Sequence, residues 1–285
     1  MISCMSGMFL TRESDVYRSI LQWFALGLLV LLSACTGAGK EQGNNSQRIV
    51  DTAETGGVLR VGVDPDYIPI IYKENGELTG IEIVLARQLG KELGREVEFI
   101  ETPWDDLIPA LNRGHIDIIM SGMSETAARM QLVQFTEPYM RVGQMAIIRV
   151  TDIGSINSPQ ALYDTSARVG YISKTTGELF VRENLKNAEY VSLKTGDDGI
   201  PALRSGEIDV FVHDAPTAWQ LAADPEMNDL MALYWPLTEE YLAWAVRKSD
   251  TELLEKINTI IEQWKRSGAL QATLNRWIRV RVEVR

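Results

Sequence analysis

Apolar positions recur at helical spacing in some stretches of the chain and form short continuous runs in others. One helical face carries Ile81, Val84, Leu85, Leu89 and Leu93. Gly94 follows, where a left-handed glycine commonly ends a helix. Short apolar runs at 59–63 and 97–100 predict buried strands, and 253–265 has amphipathic helical spacing. Helices and strands alternate with short connections, so the pattern predicts the α/β class.

One phrase occurs twice in the chain. Residues 110–122 read ALNRGHIDIIMSG, and residues 202–214 read ALRSGEIDVFVHD. In both copies Ala-Leu ends a predicted helix, and Gly114 or Gly206 takes the position after the helix. Ile-Asp then enters an apolar strand, predicted over 116–120 in the first copy. Coincidence is the alternative, because such junctions are common, but the phrase favours two related α/β lobes.

A second pair of matching segments supports this interpretation: VLRVGV at 58–63 and SARVGY at 166–171. In open α/β sheets, ligands bind beyond the carboxyl ends of the strands. Those ends carry Ser121–Ser124 in one copy and His213–Asp214 in the other. The sequence therefore predicts a ligand site formed by both lobes.

The N-terminal segment has a different character. Ile20–Leu32 is mostly apolar, about as long as a signal-peptide core and short for a membrane span. The following Leu-Ser-Ala-Cys resembles the lipobox of bacterial lipoproteins, whose cysteine is lipidated. We therefore predict a signal peptide at 1–34, lipidation of Cys35 and a polar tether over 35–56. An uncleaved membrane anchor and a core helix are the alternatives.

Charge and residue counts exclude several functions. The net charge of −11 argues against a nucleic-acid partner, which requires a basic face. Cys4 falls in the predicted leader, so the mature chain cannot form an internal disulfide. His115 and His213 are the two histidines, and no zinc-like His/Cys spacing, phosphate-binding loop or nucleophile elbow occurs. We expect no metal and no cofactor.

Six ordered motifs cover most of the chain after residue 58. They are LRVGVDPDY at 59–67, TPWDDLIPAL at 102–111, MSGMSETAAR at 120–129, VGYISKTTGE at 169–178, IDVFVHD at 208–214 and AVRKSD at 245–250. The chain resembles family 3 solute-binding proteins, the extracytoplasmic amino-acid receptors of ABC importers. The resemblance implies a type II periplasmic-binding-protein fold, with two α/β lobes joined by two crossing strands. Lobe 1 would comprise 57–142 and 247–285, and lobe 2 would comprise 143–246.

The resemblance also implies how a ligand is bound. It places Arg129 at the ligand's α-carboxylate, which a guanidinium binds through two hydrogen bonds, and Asp214 at the α-ammonium. Ser121, Gly122 and Ser124 would hydrogen-bond the carboxylate and the amine. Alternatively, Arg129 is a surface residue, while Asp214 and Ser124 are helix caps.

Other ligand contacts are implied on both lobes. Thr175 and Thr176 open a helix whose N-terminal amides suit a carboxylate. Lys174 stands where the family usually has glycine, and it either faces solvent or adds positive charge to the cleft. Tyr67 and Trp104 would flank the ligand side chain, unless they are ordinary core aromatics.

The class of ligand rests on two residues. Asp64 would lie near the side-chain pocket, where it either pairs with a basic side chain or caps a turn before Pro65. The acidic chain and Asp64 favour a basic or polar amino acid. An inward-pointing Lys174 would favour glutamate or aspartate instead.

The function implied by the resemblance is capture of an amino acid by hinge closure, followed by delivery to an ABC permease. We expect a monomer without catalytic activity. Two alternatives stay open: a ligand-sensing lipoprotein without transport, and a dehydratase of prephenate or arogenate on the same fold. Such an enzyme requires a general acid, for which Asp64, Glu125 and Asp214 are the candidates.

Overall fold

The computed structural model describes residues 57–278, apart from the side chains of Ala222 and Ala223. The predicted signal peptide, Cys35 and the tether lie outside the described residues. Between residues 57 and 278, every helix is too short or too polar to cross a membrane. Helices and strands alternate along this range, which confirms the predicted α/β class.

The described elements follow one another with short connections. The strands are β1 (Val58–Val63), β2 (Asp66–Tyr67), β3 (Ile71–Glu74), β4 (Glu77–Thr79), β5 (Glu96–Glu101), β6 (Ile118–Ile119), β7 (Gln134–Phe135), β8 (Met140–Val142), β9 (Gln144–Arg149), β10 (Arg168–Ile172), β11 (Glu189–Leu193), β12 (Val210–Asp214), β13 (Leu230–Ala232), β14 (Glu240–Leu242) and β15 (Ala245–Val246). The α-helices are α1 (Ile81–Leu93), α2 (Trp104–Asn112), α3 (Ala127–Met130), α4 (Pro159–Tyr163), α5 (Thr176–Asn184), α6 (Gly199–Ser205), α7 (Ala215–Ala223), α8 (Thr251–Ser267) and α9 (Ala269–Trp277).

Two five-stranded sheets share one arrangement. The first has the order β5-β1-β6-β15-β7, and the second has the order β11-β10-β12-β9-β13. In each sheet the first three strands are parallel and the next two neighbours pair antiparallel. Buried apolar clusters pack around each sheet. The equivalence agrees with the two related units predicted from the repeated phrase.

The chain passes between the sheets twice. Strand β8 leads towards β9 in the second sheet, β14 leads back towards β15 in the first, and β8 and β14 pair antiparallel. The apolar run at Tyr241–Val246 predicts a single strand, but the structure has two. The reason is that β14 pairs with β8, whereas β15 pairs within the first sheet.

The two Ile-Asp dipeptides of the repeated phrase form equivalent ion networks. The Asp117 carboxylate accepts the backbone N–H of Arg60 at 3.0 Å and pairs with its guanidinium at 2.6 Å. Asp209 accepts the backbone N–H of Arg168 at 3.1 Å and pairs with its guanidinium at 2.7 Å. Each carboxylate therefore joins the middle strand of its sheet to the start of the neighbouring strand.

A second arginine completes each network through carbonyl oxygens. The acceptors occupy equivalent positions, those of Leu111 and Ile116 for Arg247 and those of Leu203 and Ile208 for Arg149. The predicted strand over Ile116–Met120 is shorter in the structure, where β6 covers two residues. The Ile116 carbonyl binds a side chain and is thus withdrawn from the strand ladder.

Asp209→Asn is expected to lower the free energy of unfolding by about 1–3 kcal/mol, because Arg168 and Arg149 lose a charged acceptor. The matched control is Asp229→Asn, which removes an exposed partner of Arg204 and should cost less than Asp209→Asn, because exposed ion pairs contribute little to stability. Urea denaturation at pH 7 measures both.

The same substitution has a predictable pH dependence. Hydrogen bonds from Arg168 lower the pKa of Asp209 from 3.8 to about 2. Because the folded pKa is depressed, the contribution of this carboxylate is complete above about pH 4 and is lost as the pH falls through about 2. The difference between wild type and variant should therefore shrink over this window, and a constant difference would contradict the assignment.

Candidate ligand-binding site

A cavity of about 480 Å³ lies at the carboxyl ends of strands from both sheets. All ten residues predicted to contact a ligand line it: Asp64, Tyr67, Trp104, Ser121, Gly122, Ser124, Arg129, Thr175, Thr176 and Asp214. The volume is in the range of small-molecule sites. The fold thus brings together residues from distant parts of the sequence, and their contacts decide what the cavity can bind.

Arg129 lies on the short helix α3, close to the cavity wall. Its Nη1 donates to the carbonyl of Ser124 at 2.7 Å, and its guanidinium lies 5.1 Å from the centre of the Trp104 ring. Burial lowers its pKa, while the carboxylates of Asp214 and Glu240 oppose this shift. The interpretation of Arg129 as a solvated surface arginine is therefore not supported.

The helix of Arg129 is capped by a residue other than the one considered from the sequence. Thr126 Oγ1 accepts the backbone N–H of Arg129 at 3.2 Å. Ser124 was considered as the cap, and this was wrong, because its hydroxyl donates to the Glu240 carboxylate at 2.7 Å.

Asp214 ends β12 and stands at the N-cap position of α7, but its side chain makes no capping hydrogen bond. Its carboxylate instead accepts a hydrogen bond from the side-chain amide of Gln144. Burial, followed by repulsion from Glu240, raises the pKa of Asp214 to about 7. A cation placed beside Asp214 would favour the charged carboxylate.

Gln144 and Glu240 were missed by sequence reasoning. Gln144 Nε2 also donates to Thr176 Oγ1 at 3.0 Å and to Glu240 Oε1 at 3.2 Å. Glu240 additionally accepts the hydroxyl of Thr238 at 2.6 Å. Gln144 could have been noticed because it is a polar residue at the start of the mostly apolar strand β9, and a buried polar side chain needs hydrogen-bond partners. Gln144 follows the first crossing strand and Glu240 lies on the second, so their contacts connect both crossing segments to the cavity.

A buried glutamate supports the loop after β6. The backbone N–H of Gly122 donates to Glu82 Oε2 at 2.7 Å, and Trp244 Nε1 donates to Oε1 at 3.1 Å. Glu82 is fully buried, and desolvation raises its pKa to about 7. Gly122 has φ of 63°, and a Cβ there would lie 2.5 Å from the Tyr67 ring. This backbone position therefore requires glycine.

Asp64 and Ser121 hold two loops of the first sheet together. The carboxylate of Asp64 accepts the backbone N–H of Trp104 at 2.7 Å, and the backbone N–H of Asp64 donates to Ser121 Oγ at 2.8 Å. Asp64 thus binds the start of α2, rather than capping the turn before Pro65. Burial raises its pKa.

The segment before α5 contains both predicted threonines. Thr175 Oγ1 accepts the backbone N–H of Glu178 at 3.4 Å and so caps the helix. Lys174 has φ of 58°, a left-handed conformation that explains a preference for glycine at this position. Its ammonium pairs with Asp105 at 2.5 Å on the exposed rim. The side chain thus takes the solvent-facing orientation of the two considered from the sequence, and the pairing with Asp105 was not foreseen.

Several contacts join the two sheets' loops across the cavity. Trp104 Nε1 donates to the carbonyl of Lys174 at 3.2 Å, and Thr217 Oγ1 donates to the carbonyl of Ile68 at 3.1 Å. The ring of Tyr67 meets the His213 ring edge-on at 5.3 Å. The two halves of the site therefore face each other in a closed arrangement.

Two linked α/β units that close over one cavity, with charged and hydroxyl side chains in its wall, define the two-lobed class of binding proteins. A family model of bacterial extracellular solute-binding proteins, family 3, matches residues 59–280, and the chain belongs to this family. The match confirms the resemblance seen in the sequence motifs.

Individual proteins agree with this assignment. The chain is 29% identical to the L-cystine-binding protein TcyJ of Escherichia coli K12, over 78% of this chain and 82% of TcyJ. Among solved structures, it is similar to the ancestral amino acid-binding protein AncCDT-1, a precursor of cyclohexadienyl dehydratase (36% identity, TM-score 0.72, 78% and 95% of the two chains). It is also similar to a putative ABC transporter binding component from Wolinella succinogenes complexed with lysine (30% identity, TM-score 0.75, 78% and 96%). These matches confirm the two-lobed fold.

Gly122→Ala is expected to lower the free energy of unfolding by about 2–4 kcal/mol, because the new methyl group meets Tyr67 and the backbone is left-handed. Gly154→Ala is the matched control, since a Cβ there meets open space. Thermal or urea unfolding measures both variants, and an equal effect would show that the loop tolerates a side chain at residue 122.

Proposed function

We propose that the chain captures a polar or basic amino acid in this cavity by closure of its two lobes and delivers it to an ABC transporter. The observation that most directly supports this proposal is that Arg129 and Asp214, from opposite lobes, line the same cavity. A guanidinium complements an α-carboxylate, and a carboxylate complements an α-ammonium. Ser121, Ser124 and the Thr175–Thr176 segment supply further hydrogen-bonding groups around this pair.

The charges around the cavity support a basic or polar ligand. Carboxylates predominate over cationic side chains, with Asp64, Asp66, Glu101, Asp105 and Asp214 facing Arg129 and Lys194. The case for an acidic ligand required Lys174 in the cleft, but its ammonium is bound to Asp105 on the rim. The lysine complex of the Wolinella succinogenes protein agrees with this preference.

The lobe boundaries follow the sheets. We propose that lobe 1 comprises 57–142 and 247–285 and that lobe 2 comprises 143–246. The structure suggests moving the second boundary so that Ala245 and Val246 belong to lobe 1. Because β15 pairs within the first sheet, the second crossing is complete before Ala245. The transporter would recognise the closed pair of lobes, with the protein acting as a monomer.

We further propose that the protein is an extracytoplasmic lipoprotein. The apolar leader and the Leu-Ser-Ala-Cys motif ending at Cys35 support lipidation, and residues 36–56 separate this cysteine from the fold. The same anchor would serve a sensor that binds an amino acid without transport. Loss of amino-acid uptake on deleting the gene would favour transport over sensing.

The family consists of binding proteins, and we propose that this chain has no catalytic activity. The similarity to AncCDT-1, a precursor of cyclohexadienyl dehydratase, makes a turnover assay with prephenate and arogenate a direct test. Asp214, with a pKa of about 7, is the group best suited to act as an acid. Its contact with Gln144 and the facing Arg129 suit ligand binding, and turnover would refute this proposal.

Arg129→Ala is expected to abolish amino-acid binding while the domain stays folded. Losing a buried charged hydrogen bond should cost about 2–5 kcal/mol of binding free energy. A thermal-shift screen against the twenty amino acids, followed by calorimetry, measures this, since a ligand that binds the native state raises its stability. The control is Arg113→Ala, at an exposed position after α2. Equal affinity in wild type and Arg129→Ala would rule out the clamp.

Cys35→Ser is expected to release the protein from the membrane fraction without changing ligand affinity. The reason is that lipidation requires the cysteine thiol, whereas the ligand cavity lies within residues 57–278. Membrane fractionation and metabolic labelling with palmitate measure the change. A variant that stays in membranes would identify the uncleaved apolar leader as the anchor.

A further inference from the structure

Two carboxylates follow β1 at the ligand cavity, and they differ in what they bind. Asp64 accepts the backbone N–H of Trp104 at 2.7 Å, at the start of α2. A carboxylate at a helix N-terminus is stabilised by the amide and by the helix dipole. Asp64 therefore already has a strong partner within the fold.

Asp66 has a much weaker environment. It lies on β2 and accepts one long hydrogen bond, from the backbone N–H of Gly196 at 3.4 Å. Within residues 57–278, neither a lysine nor an arginine forms a salt bridge with it. Burial, followed by the nearby charge of Asp64, raises its pKa to about 6. A cation beside Asp66 would offset both effects.

A second cavity of about 310 Å³ adjoins the ligand cavity at this point. Asp66, Gly196 and His213 line both cavities. Burial lowers the pKa of His213 to about 4, so its ring is neutral at pH 7. The second cavity is also lined by Asp197 and Asp224 and by neither lysine nor arginine. The junction of the two cavities is therefore acidic and has room beyond it.

Gly196 brings the second lobe against Asp66. A Cβ on Gly196 would lie 2.6 Å from the carbonyl oxygen of Asp66, so only glycine permits this approach. The contact places Asp66 where the two lobes meet, on the wall of the same cavity that Arg129 and Asp214 line.

We infer that Asp66, and not Asp64, binds the distal cationic group of a long basic amino acid such as arginine or lysine. This inference rests on the proposed amino-acid capture. The ligand's α-groups would bind Arg129 and Asp214, and its side chain would end at the junction of the two cavities. The second cavity leaves space for the guanidinium and its water.

The test measures binding of arginine, citrulline and lysine to the full chain by calorimetry. Citrulline has nearly the shape of arginine but no side-chain charge. Wild type should bind arginine at least about 30-fold more tightly than citrulline, and Asp66→Asn should reduce this ratio to less than about threefold. Asparagine keeps an acceptor for Gly196 N–H, so citrulline affinity should be unchanged.

Two controls separate charge at Asp66 from other effects. Asp197→Asn, in the second cavity, should keep most of the arginine preference. Asp64→Asn should also keep most of the arginine preference, because asparagine retains an acceptor for the backbone N–H of Trp104. Asp66→Glu moves the carboxylate by one methylene and should shift the preference from lysine towards the shorter homologue ornithine, which provides an independent test if Asp66→Asn is unstable.

The outcomes are distinguishable from those of the proposed function. If wild type binds none of the amino acids, the proposed function fails and the inference fails with it. If wild type binds amino acids and Asp66→Asn keeps the arginine preference, the inference alone is wrong. Loss of the preference in Asp64→Asn, with Asp66→Asn unaffected, would assign the role to Asp64.

Discussion

The ligand cavity depends on how Gln144 holds two neighbouring carboxylates. The two hydrogens of its amide nitrogen are shared among acceptors on Asp214, Glu240 and Thr176, at the point where the chain enters the second sheet. Burial and repulsion from Glu240 raise the pKa of Asp214 to about 7, while the Gln144 amide and Arg129 oppose this shift. The contacts that connect the sheets therefore also favour the charged form of Asp214.

The two lobes use one packing design and differ at the strand ends. A Cβ on Gly170 would lie 2.5 Å from the Ile208 side chain. A Cβ on Gly62, the equivalent position of the first lobe, would likewise lie 2.2 Å from the Ile116 side chain. The strands paired at these glycines lead into Ser121-Gly122 in one unit and His213-Asp214 in the other. One unit therefore presents neutral donors and the other a carboxylate.

Sequence periodicity and glycine position predicted most helices, including the left-handed glycines after α1 and α6. Asn75 and Gly76 both have positive φ and join β3 to β4, as an Asn-Gly pair typically does in a hairpin. Contacts between distant residues were beyond this reasoning: Gln144 and Glu240 are 96 positions apart. The Lys174 side chain reaches 69 positions to Asp105. Asp66 was overlooked because its surroundings, with one long hydrogen bond from Gly196 and no salt bridge within residues 57–278, cannot be read from a motif.

The pair formed by Lys174 and Asp105 crosses the mouth of the cleft while both side chains remain well exposed, at 67% and 50%. Exposed charges are screened within about 8 Å at physiological ionic strength and within about 3 Å at 1 M salt. This contact across the cleft is therefore weaker in concentrated salt than in dilute buffer, whereas the buried contacts of Gln144 are screened much less.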